Sequence, residues 1–200
     1  MTNINEIAKQ MVAEGKGILA ADESSGTIKK RFDTINVNSS EENRMNYRRI
    51  LFESTEAMQN YISGVILFDE TIRQSNNDGE RLVDIIKKSG SLPGIKVDMG
   101  AKELATMQGE TVTEGLDGLR ERLQEYSNLG AKFAKWRAVI SISNKNPSSL
   151  CINVNAHALA RYAALCQESG IVPIVEPEVL MDGPHDIQKC YDATKETLLK

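Results

Sequence analysis

The chain has 200 residues, of which 40% are hydrophobic and 26% are charged, and its formal net charge is −4. This composition is typical of a globular protein, and the mild acidic balance argues against a surface for nucleic acid or anionic membranes. No apolar run approaches the ~20 residues of a membrane span, so no membrane partner is expected. The length allows one large domain or two small ones.

The amino terminus and the cysteines bear on where the protein works. The first residues have neither a basic start nor an apolar core, so no export signal is predicted. The cysteines are odd in number and widely spaced, which argues against a disulfide framework and against zinc. These features predict a reducing, cytoplasmic location. The three cysteines are Cys151, Cys166 and Cys190.

Helical and strand-like patterns alternate along the chain. Apolar residues spaced by three and four predict helices, and short apolar runs between turn residues predict strands. The predicted helices lie at 4–12, 39–61, 82–90, 113–130, 148–169 and 184–200. The predicted strands lie at 15–23, 61–70, 94–100, 133–142 and 171–180.

Because a helix lies between each pair of strands, the pattern predicts an α/β fold with a parallel sheet. No linker or second-domain signal interrupts it, so we expect a single domain over 1–200. Two architectures fit five strands. One is a doubly wound sheet of the flavodoxin type. The other is most of a (β/α)8 barrel, which normally needs three more units and about 250 residues.

Charged residues within or just after the apolar strands favour the barrel. Strands of parallel sheets are normally continuous apolar runs, yet every predicted strand carries charge. A doubly wound sheet gathers polar groups at its switch point, whereas a barrel directs every strand's carboxyl end at one site. We therefore expect the (β/α)8 TIM-barrel family, with about five of the eight units. The residues are Asp22, Glu23, Asp69, Glu70, Lys96, Asp98, Lys135, Arg137, Glu176 and Glu178.

Each charged residue also has a purely structural interpretation. Asp98 and Glu178 would be caps or ion-pair partners, and the lysine of the third strand would lie on the surface. Asp69 and Glu70 would lie beyond their strand in a solvated loop. Lys135 is the hardest to explain in this way, because its apolar neighbours place its strand in the core. A buried, unpaired charge costs several kcal/mol, on the order of 3–5.

Lysines, carboxylates and an arginine around one polar cavity suit covalent chemistry on a carbonyl compound. Lysines near each other depress one another's pKa, and a partly neutral lysine attacks a carbonyl to form a Schiff base. Neighbouring carboxylates then move protons. Lys96, Arg137 and the hydroxyls of Ser24, Ser25 and Thr27 suit a phosphate group.

No cofactor is predicted. The two histidines, His157 and His185, are too few for a three-histidine metal site, and at 28 residues apart they do not match a two-histidine–carboxylate motif. The glycine-rich motifs of nucleotide sites are also absent from the sequence.

Six long stretches carry a more specific signal, and together they cover nearly the whole chain. They closely resemble class I fructose-bisphosphate aldolases. The resemblance implies a (β/α)8 barrel that cleaves fructose 1,6-bisphosphate to dihydroxyacetone phosphate and glyceraldehyde 3-phosphate through a lysine Schiff base, without metal. It also implies a homo-oligomer, since family members are usually tetramers. The stretches are GILAADESSGTIKKRF (17–32), GVILFDETIRQ (64–74), GIKVDMGAKEL (94–104), GETVTEGLDGL (109–119), GAKFAKWRAVI (130–140) and SGIVPIVEPEVLMDG (169–183).

The resemblance implies catalytic roles for four residues, Asp22, Lys135, Glu176 and Glu178, and a substrate-binding role for Arg137. Asp22 in LAADES resembles the aspartate that contacts the substrate hydroxyl beside the scissile bond. Lys135 and Arg137 in AKWR resemble the lysine and arginine that stabilise the carbinolamine and bind substrate. Glu176 in VEPE resembles the glutamate acid/base, and Glu178 resembles the partner that orients a lysine.

The resemblance also implies residues for substrate binding. Lys96, Ser24 and Thr27 resemble the groups that hold the phosphate distal to the ketone. Arg31 in KRF resembles a further residue that reaches the substrate.

One part of the family pattern is not matched. The family's Schiff-base lysine lies on the sixth strand, in a stretch resembling T-[LI]-L-K-P, whereas five strands are predicted here. The final residues, ETLLK (196–200), imitate this motif, but the pattern from Pro184 onward is helical. We therefore expect an aldolase fragment that is inactive alone. The alternative is a non-catalytic sugar-phosphate binder or an assembly module that completes a barrel with another chain.

Overall fold

A computed structural model describes residues 3–200, and the first two residues of the predicted domain 1–200 lie outside it. Strands and helices alternate along this part of the chain. The strands are β1 (Gly17–Ala21), β2 (Ile62–Leu67), β3 (Leu92–Lys96), β4 (Ala101–Glu103), β5 (Thr111–Thr113), β6 (Phe133–Ile140) and β7 (Val172–Val179). The helices are α1 (Ile4–Met11), α2 (Ser25–Asp33), α3 (Glu41–Phe52), α4 (Thr55–Tyr61), α5 (Asp69–Arg73), α6 (Leu82–Lys88), α7 (Leu119–Leu129), α8 (Ser149–Glu168) and α9 (Ile187–Leu199).

Five strands form one parallel sheet in the order β1-β2-β3-β6-β7, which is also their order along the chain. A doubly wound sheet would reverse its strand order at a switch point, and this sheet does not. The sheet is therefore an open half-barrel of five βα units, as predicted for part of a (β/α)8 barrel. Within residues 3–200, no helix is long and apolar enough to cross a membrane.

The two faces of the sheet are packed differently. Its outer face lies against helices in the main core, where Trp136 of β6 stacks on Tyr162 of α8 with ring centroids 5.5 Å apart. Its inner face is apolar only at the amino-terminal half, where α1 places Ile7 and Met11 against Phe133. The opposite, carboxyl-terminal half of the inner face is left for polar side chains.

An antiparallel hairpin of β4 and β5 separates β3 from α7. The sequence pattern does not predict it, and the prediction that a helix begins at Thr113 is wrong, because Thr113 lies in β5. The hydroxyl of Thr113 donates to the carbonyl of Arg137 at 2.8 Å, and that of Thr111 donates to Val139 at 2.7 Å. These bonds fasten the hairpin along β6, and α7 begins only at Leu119.

The helix predicted over 39–61 is two helices, α3 and α4. The chain leaves the helical region at Ser54, whose backbone has φ −70° and ψ 68°. The Ser54 hydroxyl donates to the carbonyl of Ile50 at 2.8 Å, which is a side-chain bond that competes with continued helix. The short helix α2 is also absent from the predicted elements. Ser24 caps it by accepting from the N–H of Thr27 at 3.3 Å.

Candidate active site

The alternation of side chains along β6 explains why a buried strand carries two cations. Trp136 is fully buried on the outer face of the sheet, so Lys135 and Arg137, one position to either side, point to the inner face. There they line a cavity of about 840 Å³ at the carboxyl ends of the strands. The polar inner face and the apolar outer face thus share one strand.

Lys135 lies between two carboxylates from distant parts of the chain. Its Nζ is 3.3 Å from Oδ2 of Asp22, which follows β1, and 3.4 Å from Oε2 of Glu176 on β7. The side chains of Lys135 and Asp22 are only 14% and 11% exposed. Screening by water is weak at such positions, so this ion-pair cluster fixes the Lys135 ammonium between the first and last strands of the half-barrel.

Arg137 and Glu178 form a second ion pair beside the first. Nη1 of Arg137 is 3.2 Å from Oε2 of Glu178, and both side chains are partly exposed. In the register of β6 and β7, Arg137 lies opposite Glu176. Glu178, two residues further along β7, is nevertheless the carboxylate that pairs with the arginine, and among residues 3–200 it forms no ion pair with a lysine.

Lys96 reaches the same cavity from β3, where it lies opposite Lys135 in the strand register. Its Nζ donates to Oδ1 of Asp98 at 2.7 Å. Asp98 therefore has an ion-pair partner, and Lys96 is not a free surface lysine. The side chains predicted to converge, Asp22, Lys96, Lys135 and Glu176, do lie at one end of one face of the sheet.

Some of the residues that follow β1 line the cavity and others lie outside it. Ser24 and Thr27 line the cavity, with their hydroxyl oxygens 3.1 Å apart. Arg31 lies two turns into α2 from Ser24 and outside the cavity lining. Its guanidinium forms an ion pair with Glu23 and donates to the Tyr47 hydroxyl, and the charge of Glu23 is the main cause that raises the pKa of Arg31.

The acidic pair after β2 does not lie in a solvated loop, contrary to the prediction. Asp69 and Glu70 form the first turn of α5. Burial opposes ionisation of Asp69, but hydrogen bonds from Arg73 and Tyr126 outweigh it and lower the pKa of the carboxyl. Glu70 accepts two hydrogen bonds from Arg44, at 2.9 and 2.5 Å. Asp69 is therefore a structural part of the cavity wall, whereas Glu70 lies outside the cavity lining.

Arg48 is a residue of the site surroundings that sequence reasoning missed. Its side chain is 0% exposed, and it donates from Nη2 to the carbonyl of Glu23 at 2.6 Å. Burial lowers the pKa of Arg48, while the charges of Glu23 and Glu70 oppose that shift. Through Glu23, Arg48 holds the segment that carries Asp22. No local pattern reveals such a contact, because its partners are far apart in sequence.

Three of the cations that line the cavity, those on β3 and β6, each have a carboxylate at ion-pair distance. The pairs are Lys96–Asp98, Lys135–Asp22/Glu176 and Arg137–Glu178. Such an arrangement binds anionic groups through the cations and transfers protons through the carboxylates. Among residues 3–200, no three His, Cys, Asp or Glu side chains are grouped so that they would hold a metal ion.

Comparison with known proteins agrees with the sequence motifs. Residues 3–200 match the family model of class-I fructose-bisphosphate aldolase. A probable class 1 fructose-bisphosphate aldolase of Xanthomonas campestris is 61% identical over 96% of this chain and 58% of its own length. Cytosolic fructose-bisphosphate aldolase 4 of Arabidopsis thaliana is 58% identical over 92% of this chain and 47% of its own length.

A solved structure gives the same result for the fold. Fructose-bisphosphate aldolase from Plasmodium falciparum, in complex with TRAP and a small-molecule inhibitor, superposes with a TM-score of 0.93 at 48% identity. The match covers 98% of this chain and 56% of that one. The chain thus spans about half the length of the relatives it matches. The chain therefore belongs to the class I fructose-bisphosphate aldolase family.

Proposed function

We propose that this chain supplies five of the eight βα units of a class I fructose-bisphosphate aldolase. The enzyme would cleave fructose 1,6-bisphosphate reversibly to dihydroxyacetone phosphate and glyceraldehyde 3-phosphate, as in glycolysis and gluconeogenesis. The observation that carries the proposal is the Lys135 ammonium held between Asp22 and Glu176 at the carboxyl ends of three strands. In this proposal the 200 residues form one partial-barrel domain.

The contacts support distinct catalytic roles. Glu176 is the acid/base, because its carboxylate lies 3.4 Å from Nζ of Lys135, and Lys135 lines the cavity. Lys135 stabilises the carbinolamine with its positive charge. Asp22 accepts a hydrogen bond from the substrate hydroxyl beside the scissile bond. Glu178 contacts Arg137, so the lysine that it is predicted to orient belongs to a strand outside these residues.

Phosphate binding is assigned to the remaining polar residues. Lys96, Ser24 and Thr27 line one side of the cavity and suit the phosphate distal to the ketone. Arg137 binds substrate from β6. Arg31 reaches a bisphosphate only if its guanidinium turns away from Glu23, since that ion pair holds it outside the cavity.

The Schiff-base lysine is proposed to lie outside these 200 residues. The motif-like ending, ETLLK, belongs to α9, where Thr197 is buried and Leu198 and Leu199 are exposed. Lys200 is exposed and does not line the cavity, so it lacks the desolvated setting in which a lysine attacks a carbonyl. The 200 residues alone would then be inactive.

A different class of function is an assembly module that binds a sugar phosphate without catalysis. It would complete a barrel with another chain, and the unpaired side of β7 is the edge it would use. We also propose that the full-length protein forms a homo-oligomer. A cytosolic location is a further proposal, and it is supported by the word "cytosolic" in the name of the Arabidopsis relative.

Activity in a completed barrel tests the proposal. The chain would be fused to the carboxyl-terminal part of the Xanthomonas relative that lies beyond the matched region, and cleavage of fructose 1,6-bisphosphate would be measured. We expect turnover by the fusion protein, retained in EDTA, and none by the 200-residue chain. A folded fusion that binds the sugar bisphosphate without cleaving it would favour the assembly module instead.

A further inference from the structure

We propose that Asp98 is a positioning residue that holds Lys96 in place for the phosphate of the substrate. The inference rests on the proposed function and deepens it, because it concerns how the cavity prepares one of its cations. Asp98 is not itself expected to touch the reacting atoms. It acts through Lys96.

The contacts of Asp98 are those of a buried counter-charge. Its side chain is 3% exposed and its Oδ1 accepts from Nζ of Lys96 at 2.7 Å. The same Nζ donates to the Asp98 carbonyl at 3.3 Å. Two of the three ammonium donors of Lys96 are therefore directed at one residue, which leaves the third for the cavity.

The second carboxylate oxygen of Asp98, Oδ2, makes no hydrogen bond that would stabilise the fold in the described part of the chain. Oδ2 is buried and finds no hydrogen-bond partner among residues 3–200, although Asp98 lines the cavity. Leaving a buried acceptor unpaired costs about 1–3 kcal/mol, more for a charged group. Such an atom is unusual in a residue that serves only the fold. Here it gives Lys96 a second acceptor when the ammonium moves toward a ligand.

The need for a counter-charge follows from the register of the strands. Lys96 and Lys135 lie directly opposite each other on β3 and β6, and both point into the cavity. Like charges at paired positions repel. Lys135 is balanced by Asp22 and Glu176, whereas Asp98 is the one carboxylate that contacts Lys96 in the described part of the chain. Without Asp98, the long Lys96 side chain would be free to turn away.

The competing explanation is that Asp98 only shapes the turn after β3. Its Oδ1 also accepts from the N–H of Gly100 at 3.1 Å, and Gly100 has φ +92°. Asp98→Asn separates the two explanations, because an amide oxygen still accepts from Gly100 but carries no charge. If Asp98 only shapes the turn, this variant resembles the parent protein.

The test uses the fusion protein and its KM for fructose 1,6-bisphosphate. Asp98→Asn should raise KM about 10- to 100-fold, the effect of losing a hydrogen bond between charged groups, while kcat changes less than about threefold. Asp33→Asn is the matched control, since it breaks an exposed Lys29–Asp33 pair and should leave both constants unchanged.

A double-mutant cycle shows whether Asp98 acts through Lys96. In a Lys96→Gln background, Asp98→Asn should add less than about a threefold effect on KM. Full additivity would overturn the inference, as would an unchanged KM in the single variant. Should Asp98→Asn fail to fold, Asp98→Glu keeps the charge but displaces it, and a parental KM there would also overturn it. An unmutated fusion without cleavage activity would contradict the proposed function instead.

Discussion

At the scale of single residues, Glu176 is the group whose chemistry is most directly testable. Glu176→Gln removes the proton-transfer group but keeps its size. Loss of acid/base assistance typically lowers the rate about 10²–10⁴-fold, so kcat of the fusion protein should fall by that factor. Sugar-phosphate binding should be retained, because the cations that bind phosphate are untouched. Steady-state kinetics and a binding titration measure the two effects.

The matched control for this change is Glu56→Gln, a glutamate of α4 on the exposed surface. It should leave kcat and binding at parental values. A fusion carrying Glu176→Gln that still turns over near the parental rate would mean that Glu176 is not the acid/base.

The three cysteines should differ sharply in reactivity. Burial raises the pKa of Cys166 to about 12 and also raises the pKa of Cys151, whereas Cys190 is partly exposed. The thiolate is the reactive form, so a raised pKa suppresses reaction at pH 8. We expect iodoacetamide to modify Cys190 first in the native chain, as mapped by mass spectrometry. In guanidinium chloride all three should react alike, and native labelling of Cys166 as fast as Cys190 would refute this order.

Single residues also show which side-chain positions can be predicted from the sequence and which cannot. Lys135 and Arg137 are recognisable as inward-facing because alternation along a buried strand is a local rule. Arg48 is not recognisable in this way, since its burial depends on a carbonyl 25 positions away in the chain. The pairing of Glu178 with Arg137 likewise depends on the register of two strands, which no local pattern specifies.

At the scale of elements, Phe133 of β6 depends on glycines in the neighbouring strands. It lies over Gly94 of β3 and Gly64 of β2, and a Cβ on Gly64 would approach its ring to 2.8 Å. A Cβ on Gly94 would overlap the ring still more. Gly94→Ala should therefore destabilise the chain by about 1–3 kcal/mol, which is typical of overpacking.

Thermal or denaturant unfolding measures this effect. Gly17→Ala is the control, because Gly17 is also a strand glycine and its Cβ would meet no atom within 4 Å. It should leave the free energy of unfolding nearly unchanged. Equal stability of the two variants would show that the packing of Phe133 does not depend on the glycine.

The elements that sequence reasoning missed have two kinds of cause, tertiary contacts and local side-chain bonds. The five sheet strands are predictable because each is an apolar run between turn residues. The β4–β5 hairpin is short and exposed in part, and it is held by Thr111 and Thr113 donating to carbonyls of β6. The break between α3 and α4 depends on the backbone and hydroxyl of Ser54 within an otherwise helical pattern.

At the scale of the whole molecule, the half-barrel has one open side. Within residues 3–200 the strand β7 pairs with β6 alone, and the adjacent α9 exposes Ile187, Tyr191 and Leu198 at helical spacing. The charged residues of β6 and β7 for which we propose catalytic and substrate-binding roles lie beside this open edge. A barrel completed there would place further strands next to Glu176 and Glu178, which is where the proposed account needs the Schiff-base lysine.

Trapping of the Schiff base is the measurement that tests this account most directly. The 200-residue chain and the fusion protein would each be treated with dihydroxyacetone phosphate and sodium borohydride, which reduces the imine to a stable secondary amine. Peptide mass spectrometry would then locate the adduct. We expect one stoichiometric adduct on a lysine of the fused part and none on Lys200. A stoichiometric adduct on Lys200, or on any lysine of the isolated chain, would contradict it.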